Sequence, residues 1–158
     1  MISEKHRAIG EFYMEKSTEE LKNELETLEE NDLKEWLGGI EDRKIKFAEY
    51  FQQLCEKYMC NPSQLTERCS LSKGYLYKCR NGEELPSKLA VVKMGFGFGV
   101  TSEEMNKMLY YAGYKELYVK NAWDAIVLFC LQRGCNSYEV DQLLRENGFE
   151  KGFLNDNE

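Results

Sequence analysis

Apolar side chains recur at helical spacing through the middle of this sequence, and this pattern limits the possible folds more than any other. Five large apolar residues fall three or four places apart, so they share one face of a helix. They are Phe47, Tyr50, Phe51, Leu54 and Tyr58. The chain has only two prolines, and it is rich in Lys, Glu and Leu, which favour helices. We therefore predict an all-α protein, with a strong helix from about Asp42 to Tyr58.

The first forty residues are predicted to form an acidic helical appendage. Ser17 and Glu20 have the spacing of a capping box, which would open a helix over residues 18–30. A second short helix is predicted from Asn31 to Leu37. The pair Gly38-Gly39 is then expected to break the helical structure.

Between positions 61 and 82 the apolar pattern changes in a way that requires a turn. Asn61-Pro62 ends the long helix and opens a short one that runs to Cys69. Ser70-Leu71 is predicted to be a turn, and Ser72 is predicted to cap a further helix that ends at Arg80. The residues expected on the inner sides of these helices and their turn are Leu65, Thr66, Cys69, Leu71, Leu76 and Cys79. This arrangement is typical of a helix-turn-helix unit.

The next segment contains several glycines. Leu85-Pro86-Ser87 is predicted to begin a helix that runs to about Met94. The residues 95–99, Gly-Phe-Gly-Phe-Gly, are then expected to be a connector. A phosphate-binding role for these glycines is not favoured, because no strand pattern precedes them and no Lys-Ser/Thr pair follows.

The last third of the chain contains an internal repeat with a period of 35 residues: residues 99–114 correspond to residues 134–149. Both copies have a helix cap, an apolar stripe, a terminating glycine and then an aromatic residue. The segment Ala122 to Arg133 lies between them and is apolar nearly all round, which predicts a buried helix.

Charge is unevenly distributed along the chain. The net charge is −7, and the first fifty residues contain fourteen acids and eight bases. Residues 61–82 contain four bases and the single acid Glu67. The acidic total counts against nonspecific attachment to nucleic acid by the whole surface, but it is compatible with a locally basic interface.

Residues Phe47 to Thr101 resemble the Xre/Cro-like helix-turn-helix family of bacterial and phage regulators. The resemblance depends on residues 71–82, Leu-Ser-Lys-Gly-Tyr-Leu-Tyr-Lys-Cys-Arg-Asn-Gly, followed by Leu85-Pro86-Ser87. The continuation from Gly99 is similar to an extended branch in Gram-positive bacteria, whose added helical unit would be residues 116–153. After the acidic appendage (1–40), whose boundary is placed at the Gly38-Gly39 break, the resemblance implies a lambda-repressor-like helix-turn-helix domain (41–100) and a C-terminal helical unit packed on it (101–158).

This resemblance implies a cytoplasmic regulator of transcription that binds double-stranded DNA as a dimer on two half-sites. Its recognition helix would be Ser72–Arg80. The residues that would face DNA are Arg68, Ser72, Lys73, Gly74, Tyr77, Lys78, Arg80 and Asn81. Ser72, Lys73 and Tyr77 would lie nearest the bases, whereas the other basic residues would contact phosphates.

Three positions depart from the family pattern. Pro62 stands where the family often has a phosphate-binding glutamine, with Gln64 two residues later. Ser70 replaces the usual glycine of the turn. Gly74 replaces a side chain that would contact a base. The same scaffold also serves protein contacts. The alternative function is therefore an adaptor, with a protein partner held by the acidic N-terminal helices or with Glu83 and Glu84 covering the basic face.

Other classes of function have little support. The six cysteines are expected to be buried thiols, although Cys135, beside Gly134, is a candidate for exposure. They include no C-x-x-C pair, so no metal site or other cofactor is predicted. The only histidine is His6, so we expect no enzyme and no catalytic residues. No segment is long and apolar enough to suggest a membrane helix.

Overall fold

The computed structural model describes residues 18–154, and within that range the chain forms eight α-helices and no strand. They are α1 (Thr18–Thr27), α2 (Glu30–Lys57), α3 (Pro62–Cys69), α4 (Lys73–Arg80), α5 (Lys88–Phe98), α6 (Ser102–Ala112), α7 (Ala122–Arg133) and α8 (Ser137–Glu146). Each helix from α3 to α8 begins at a Ser, Thr or Asn whose side chain accepts a backbone N–H from the first turn. The predicted all-α fold is confirmed. The capping box predicted at Ser17 lies outside the described residues.

The predicted break at Gly38-Gly39 is wrong, because α2 runs through both glycines without interruption. The boundary expected at residue 40 therefore falls inside one helix, and the two helices predicted on either side of it are a single element. Gly39 is buried, so packing against it offsets the roughly 1 kcal/mol that a glycine costs inside a helix.

The predicted connector at residues 95–99 is also wrong, because α5 continues through Gly95 and Gly97. A β-carbon at Gly97 would approach Leu65 Cδ1 to 2.6 Å and Cys69 Cβ to 3.2 Å. Both distances are closer than side chains normally pack, so glycine is what allows α3 to lie against α5. Close packing, and not chain flexibility, explains why glycines recur in this helix.

Helix α5 lies at the centre of the fold. Every residue from Ala90 to Phe98 is buried, and the helix packs against α3, α6 and α8. Helix α2 packs against α4 and α6 through Phe47 and Phe51, which are fully buried. These contacts hold α3 and α4 rigidly on one side of the molecule. Helix α1 contributes no buried residue.

The same helix-to-helix corner occurs three times. In each corner a residue in the left-handed conformation is followed by a helix cap two positions later and by the Gln or Glu of a capping box five positions later. The three sets are Met59, Asn61 and Gln64; Gly99, Thr101 and Glu104; and Gly134, Asn136 and Glu139. The second and third sets are 35 residues apart, which confirms the predicted repeat. The first set, where Met59 replaces the glycine, was not predicted.

Helix α7 is less buried than its composition predicts. Only Asp124, Val127 and Cys130 are buried, and Phe129 is 43 % exposed. The prediction of an enclosed helix is wrong because α7 packs mainly against α8 and less against α6. Asp124 accepts a hydrogen bond from Lys88 Nζ at 2.8 Å, which ties the start of α7 to the start of α5.

Candidate nucleic-acid interface

Helices α3 and α4 have eight residues each and are joined by a turn over residues 70–72. Ser70 takes the left-handed conformation, with φ 55° and ψ 35°. It therefore fills the backbone position that glycine usually occupies in such turns, despite its side chain. Ser72 caps α4 by accepting the Tyr75 backbone N–H at 3.2 Å. The predicted two helices and turn are present at the predicted positions.

The inner sides of these helices are apolar and closed. Leu65, Cys69, Leu76 and Cys79 are all 0 % exposed, and the partly buried Leu71 packs against them. This confirms the predicted inner set, apart from Thr66. That residue is half-buried, and its hydroxyl donates to the Pro62 carbonyl of its own helix at 3.0 Å.

Tyr75 lies between the inner and outer sides of α4 and is half-buried, as predicted. Its hydroxyl accepts the backbone N–H of Ser87 at 3.3 Å. Burial raises the pKa of Tyr75 to about 12. The residue therefore fixes α4 against the segment that precedes α5, and it is not available to a ligand.

The outer side of α4 holds the residues predicted to face DNA. Six of the eight predicted residues are exposed, namely Arg68, Ser72, Lys73, Gly74, Lys78 and Asn81, and two are half-buried, namely Tyr77 and Arg80. Because a helix turns once every 3.6 residues, Gly74, Tyr77 and Asn81 lie along the middle of this side. Lys73 and Arg80 flank them on one edge, and Lys78 flanks them on the other. Seven of these eight residues belong to α4 and its two caps, and the exception is Arg68. We call these seven residues the outward face.

Tyr77 is the best-anchored residue of the outward face. Its hydroxyl is hydrogen-bonded to Ser63 Oγ of α3 at 3.2 Å. The Arg80 guanidinium lies 4.6 Å from the centre of its ring, and Lys73 Nζ lies 6.0 Å from it. These are cation–π distances. One aromatic ring thus orders two of the positive charges and links both helices.

The positive charges of this region have no paired carboxylate in the part of the chain that the structure describes. No ion pair involves Arg68, Lys73, Lys78 or Arg80 within residues 18–154. The nearby acids Glu67, Glu83 and Glu84 are all exposed. The backbone N–H groups of Glu83 and Glu84 donate to the Lys78 carbonyl at 2.9 and 3.3 Å, but none of the three carboxylates pairs with a basic side chain of this region. The adaptor hypothesis predicts that Glu83 and Glu84 cover the basic side chains, and within residues 18–154 their carboxylates do not do so.

Arg68 differs from the other predicted residues because it lies on α3. Its backbone carbonyl accepts a hydrogen bond from Ser137 Oγ at 2.9 Å, so the C-terminal unit fixes the end of α3. Its side chain is exposed and belongs to the edge of the interface.

Sequence reasoning missed Ser63. It lies fourteen residues before Tyr77, and nothing in the local pattern indicates that their hydroxyls meet. Gln64 stands two residues after the position where the family often has its glutamine, and its Oε1 accepts the Asn61 backbone N–H at 2.9 Å in a capping box. That carbonyl oxygen is therefore committed to the helix start.

The cysteines are structural in this fold. All six are free thiols, and five are buried while Cys135 is half-buried. Burial raises the pKa of Cys55 and Cys69 to about 11 and that of Cys79 and Cys130 to about 12. These thiols are protonated at neutral pH and poorly nucleophilic.

Two further observations concern residues 18–154 alone. No group of three or more His, Cys, Asp or Glu side chains in this range is arranged to hold a metal ion. No helix in this range has the length and apolar character needed to cross a membrane. In the three comparisons, the chain matches no family model, no curated protein and no solved structure.

Proposed function

We propose that this protein is a sequence-specific DNA-binding regulator that inserts α4 into the major groove. The observation that supports this most is the outward face. It presents basic side chains on both edges of a short helix, with an ordered aromatic residue between them, and no carboxylate within residues 18–154 pairs with these bases. The rigid packing of α2 and α5 beneath it would keep this geometry during binding.

The proposed contacts follow from the position of each residue on the outward face. Ser72, Lys73 and Tyr77, near the start of α4, would lie closest to base edges, since the first turns of a recognition helix enter the groove. Lys78, Arg80 and Arg68 would contact phosphates and set the register. Lys73 can donate to the O6 and N7 acceptors of guanine.

The rest of the molecule would limit binding of DNA to the outward face. A net charge of −7 disfavours attachment to DNA through other surfaces. One eight-residue helix reads few base pairs, so the proposal includes a homodimer on two half-sites. The expected location is the bacterial cytoplasm, where the free thiols would stay reduced.

The test is binding to a pool of random 30-base-pair duplexes, followed by sequencing of the retained DNA. We expect a selected motif, and binding to it should weaken about 100-fold between 50 and 200 mM salt if about four phosphates are contacted. The double variant Lys73→Glu/Lys78→Glu should reduce affinity for the selected duplex by about 100-fold or more.

The matched control is Lys107→Glu/Lys120→Glu, which changes the same number of charges at two exposed positions away from α4. It should reduce affinity by less than about threefold, because distant charges are screened. Equal effects of the two double variants would reject α4 as the interface. Failure of the wild-type protein to select any duplex would reject DNA binding and favour the adaptor alternative.

A further inference from the structure

In its first turns, at Gly74 and Tyr77, the middle of the outward face offers few free hydrogen-bonding groups, unlike a usual recognition helix. At Gly74, apart from its two chain neighbours and the backbone of its own helix, no atom lies within 4 Å of the position that a β-carbon would take. Packing therefore does not explain this glycine, unlike Gly97. It leaves an open space on the surface, one helical turn before Tyr77.

Tyr77 follows this space by three residues, and a helical side chain lies over the turn that precedes it. Its hydroxyl is already hydrogen-bonded to Ser63 Oγ at 3.2 Å, which directs the polar end of the side chain towards α3. The Arg80 guanidinium at 4.6 Å and Lys73 Nζ at 6.0 Å from the ring centre further restrict its rotation. The neighbour of Gly74 on this face is thus an ordered aromatic ring whose polar end is already bonded.

The geometry points to a thymine methyl group as the ligand of this space. This inference rests on the proposed DNA binding and names the base that α4 would recognise. Thymine is the base that presents an apolar group, its C5-methyl, in the major groove. Tyr77 makes van der Waals contact with that methyl group, and the absent side chain at Gly74 provides the room. Lys73 and Lys78 contact DNA on either side.

The experiment compares the selected duplex with the same duplex made with deoxyuridine in place of thymidine, which removes only the methyl groups. Wild-type protein should bind the deoxyuridine duplex about fourfold more weakly for each contacted thymine, the value of one buried methyl-sized group. Single replacements along the duplex should confine the loss to one or two positions in each half-site.

Three variants test whether Tyr77 and Gly74 cause the preference for thymidine. Tyr77→Phe keeps the ring and should keep the preference for thymidine. Tyr77→Ala should remove it. Gly74→Leu should also remove it by filling the space, and folding is expected to persist because the position is open. Circular dichroism of each variant checks that α4 is intact.

The outcomes separate this inference from the function on which it rests. Equal affinity of the wild-type protein for both duplexes overturns the thymine contact and leaves DNA binding in place. A thymidine preference that persists in Tyr77→Ala and Gly74→Leu overturns the assignment to these residues. If no duplex is selected at all, both the function and this inference fail.

Discussion

Helices α5 and α4 both contain glycine, but the two settings are opposite. In α5 a β-carbon at Gly97 would lie 2.6 Å from Leu65 Cδ1, whereas at Gly74 in α4 nothing lies within 4 Å. The first glycine allows two helices to touch, and the second leaves the surface open. A glycine inside a helix therefore indicates close packing only where another helix lies against it. A glycine on an open surface needs a different explanation, such as a ligand that occupies the space.

The capping boxes show the same contrast between the packed and the exposed side. Glu104 is half-buried; its Oε2 accepts a bond from Lys57 Nζ at 2.8 Å, and its Oε1 accepts the Tyr58 hydroxyl. Glu139, at the corresponding position of the repeat, is exposed and caps only its own helix. One local motif therefore stabilises a tertiary contact in one copy and only a helix end in the other.

The largest expected effect is at Glu104. Glu104→Ala removes a helix cap, an ion pair and the acceptor of the Tyr58 hydroxyl, and should lower the free energy of unfolding by about 3 kcal/mol. Glu139→Ala should cost about 0.5–1 kcal/mol, because only the cap is lost. Urea denaturation of both variants measures the difference. Equal losses would show that the α2–α6 contact adds nothing to the cap.

The pH dependence of stability tests the same contact. Burial alone would raise the pKa of Glu104, but hydrogen bonds from Lys57 and Tyr58 outweigh it and lower this pKa from 4.5 to about 2. A lowered folded-state pKa stabilises the protein above pH 4.5, and this contribution of roughly 2–3 kcal/mol is lost as the pH falls towards 2. Melting curves between pH 2.5 and 5 should show this loss in the wild-type protein. Glu104→Gln lacks the titrating group and should show correspondingly less change.

Gly97→Ala should lower the free energy of unfolding by about 1–2 kcal/mol. The new methyl group would push the side chains of Leu65 and Cys69 away from α5, and this overpacking exceeds the gain in helix propensity. Thermal unfolding measures the change. A more stable variant would mean that α3 can move away from α5 at little cost, and the packing explanation for this glycine would be wrong.

Gly74→Ala is the smallest expected change and has the opposite sign. An alanine in open space gains helix propensity without a clash, so unfolding should cost about 0.5–1 kcal/mol more. The same denaturation experiment, run beside Gly97→Ala, compares one substitution in the two settings. Loss of stability at Gly74 would contradict the open surface.

Local signals in the sequence were sufficient for α3, α4 and their turn. Pro62 and the Ser72 cap each act within one turn of the chain, so the starts of both helices are predictable. The repeat was predictable for the same reason, because Thr101 and Asn136 cap their helices through residues three places on. Ser70 shows that the turn requires a backbone conformation and not glycine itself.

Contacts between distant segments were not predictable. Gly95 and Gly97 were taken as a connector because the residues that close on them, Met105 and Leu65, lie on other helices. Gly39 was taken as a break because its burial is not visible in the sequence. The partial exposure of α7 was also not predicted. An apolar composition indicates that a helix can be buried, but it does not show how many other helices pack against it. In the interface, the placement of the basic residues followed from helical periodicity, but the Ser63–Tyr77 bond depends on how α3 and α4 cross.

The most direct test of the central claim is to map where DNA binds. Nuclear magnetic resonance spectra of this 18.5 kDa protein can be recorded during titration with the selected duplex. We expect the largest amide shift changes along residues 70–81 and at the start of α3, with little change in α7 and α8. Changes centred on α7 or α8, with α4 unaffected, would contradict the assignment of the outward face as the DNA interface.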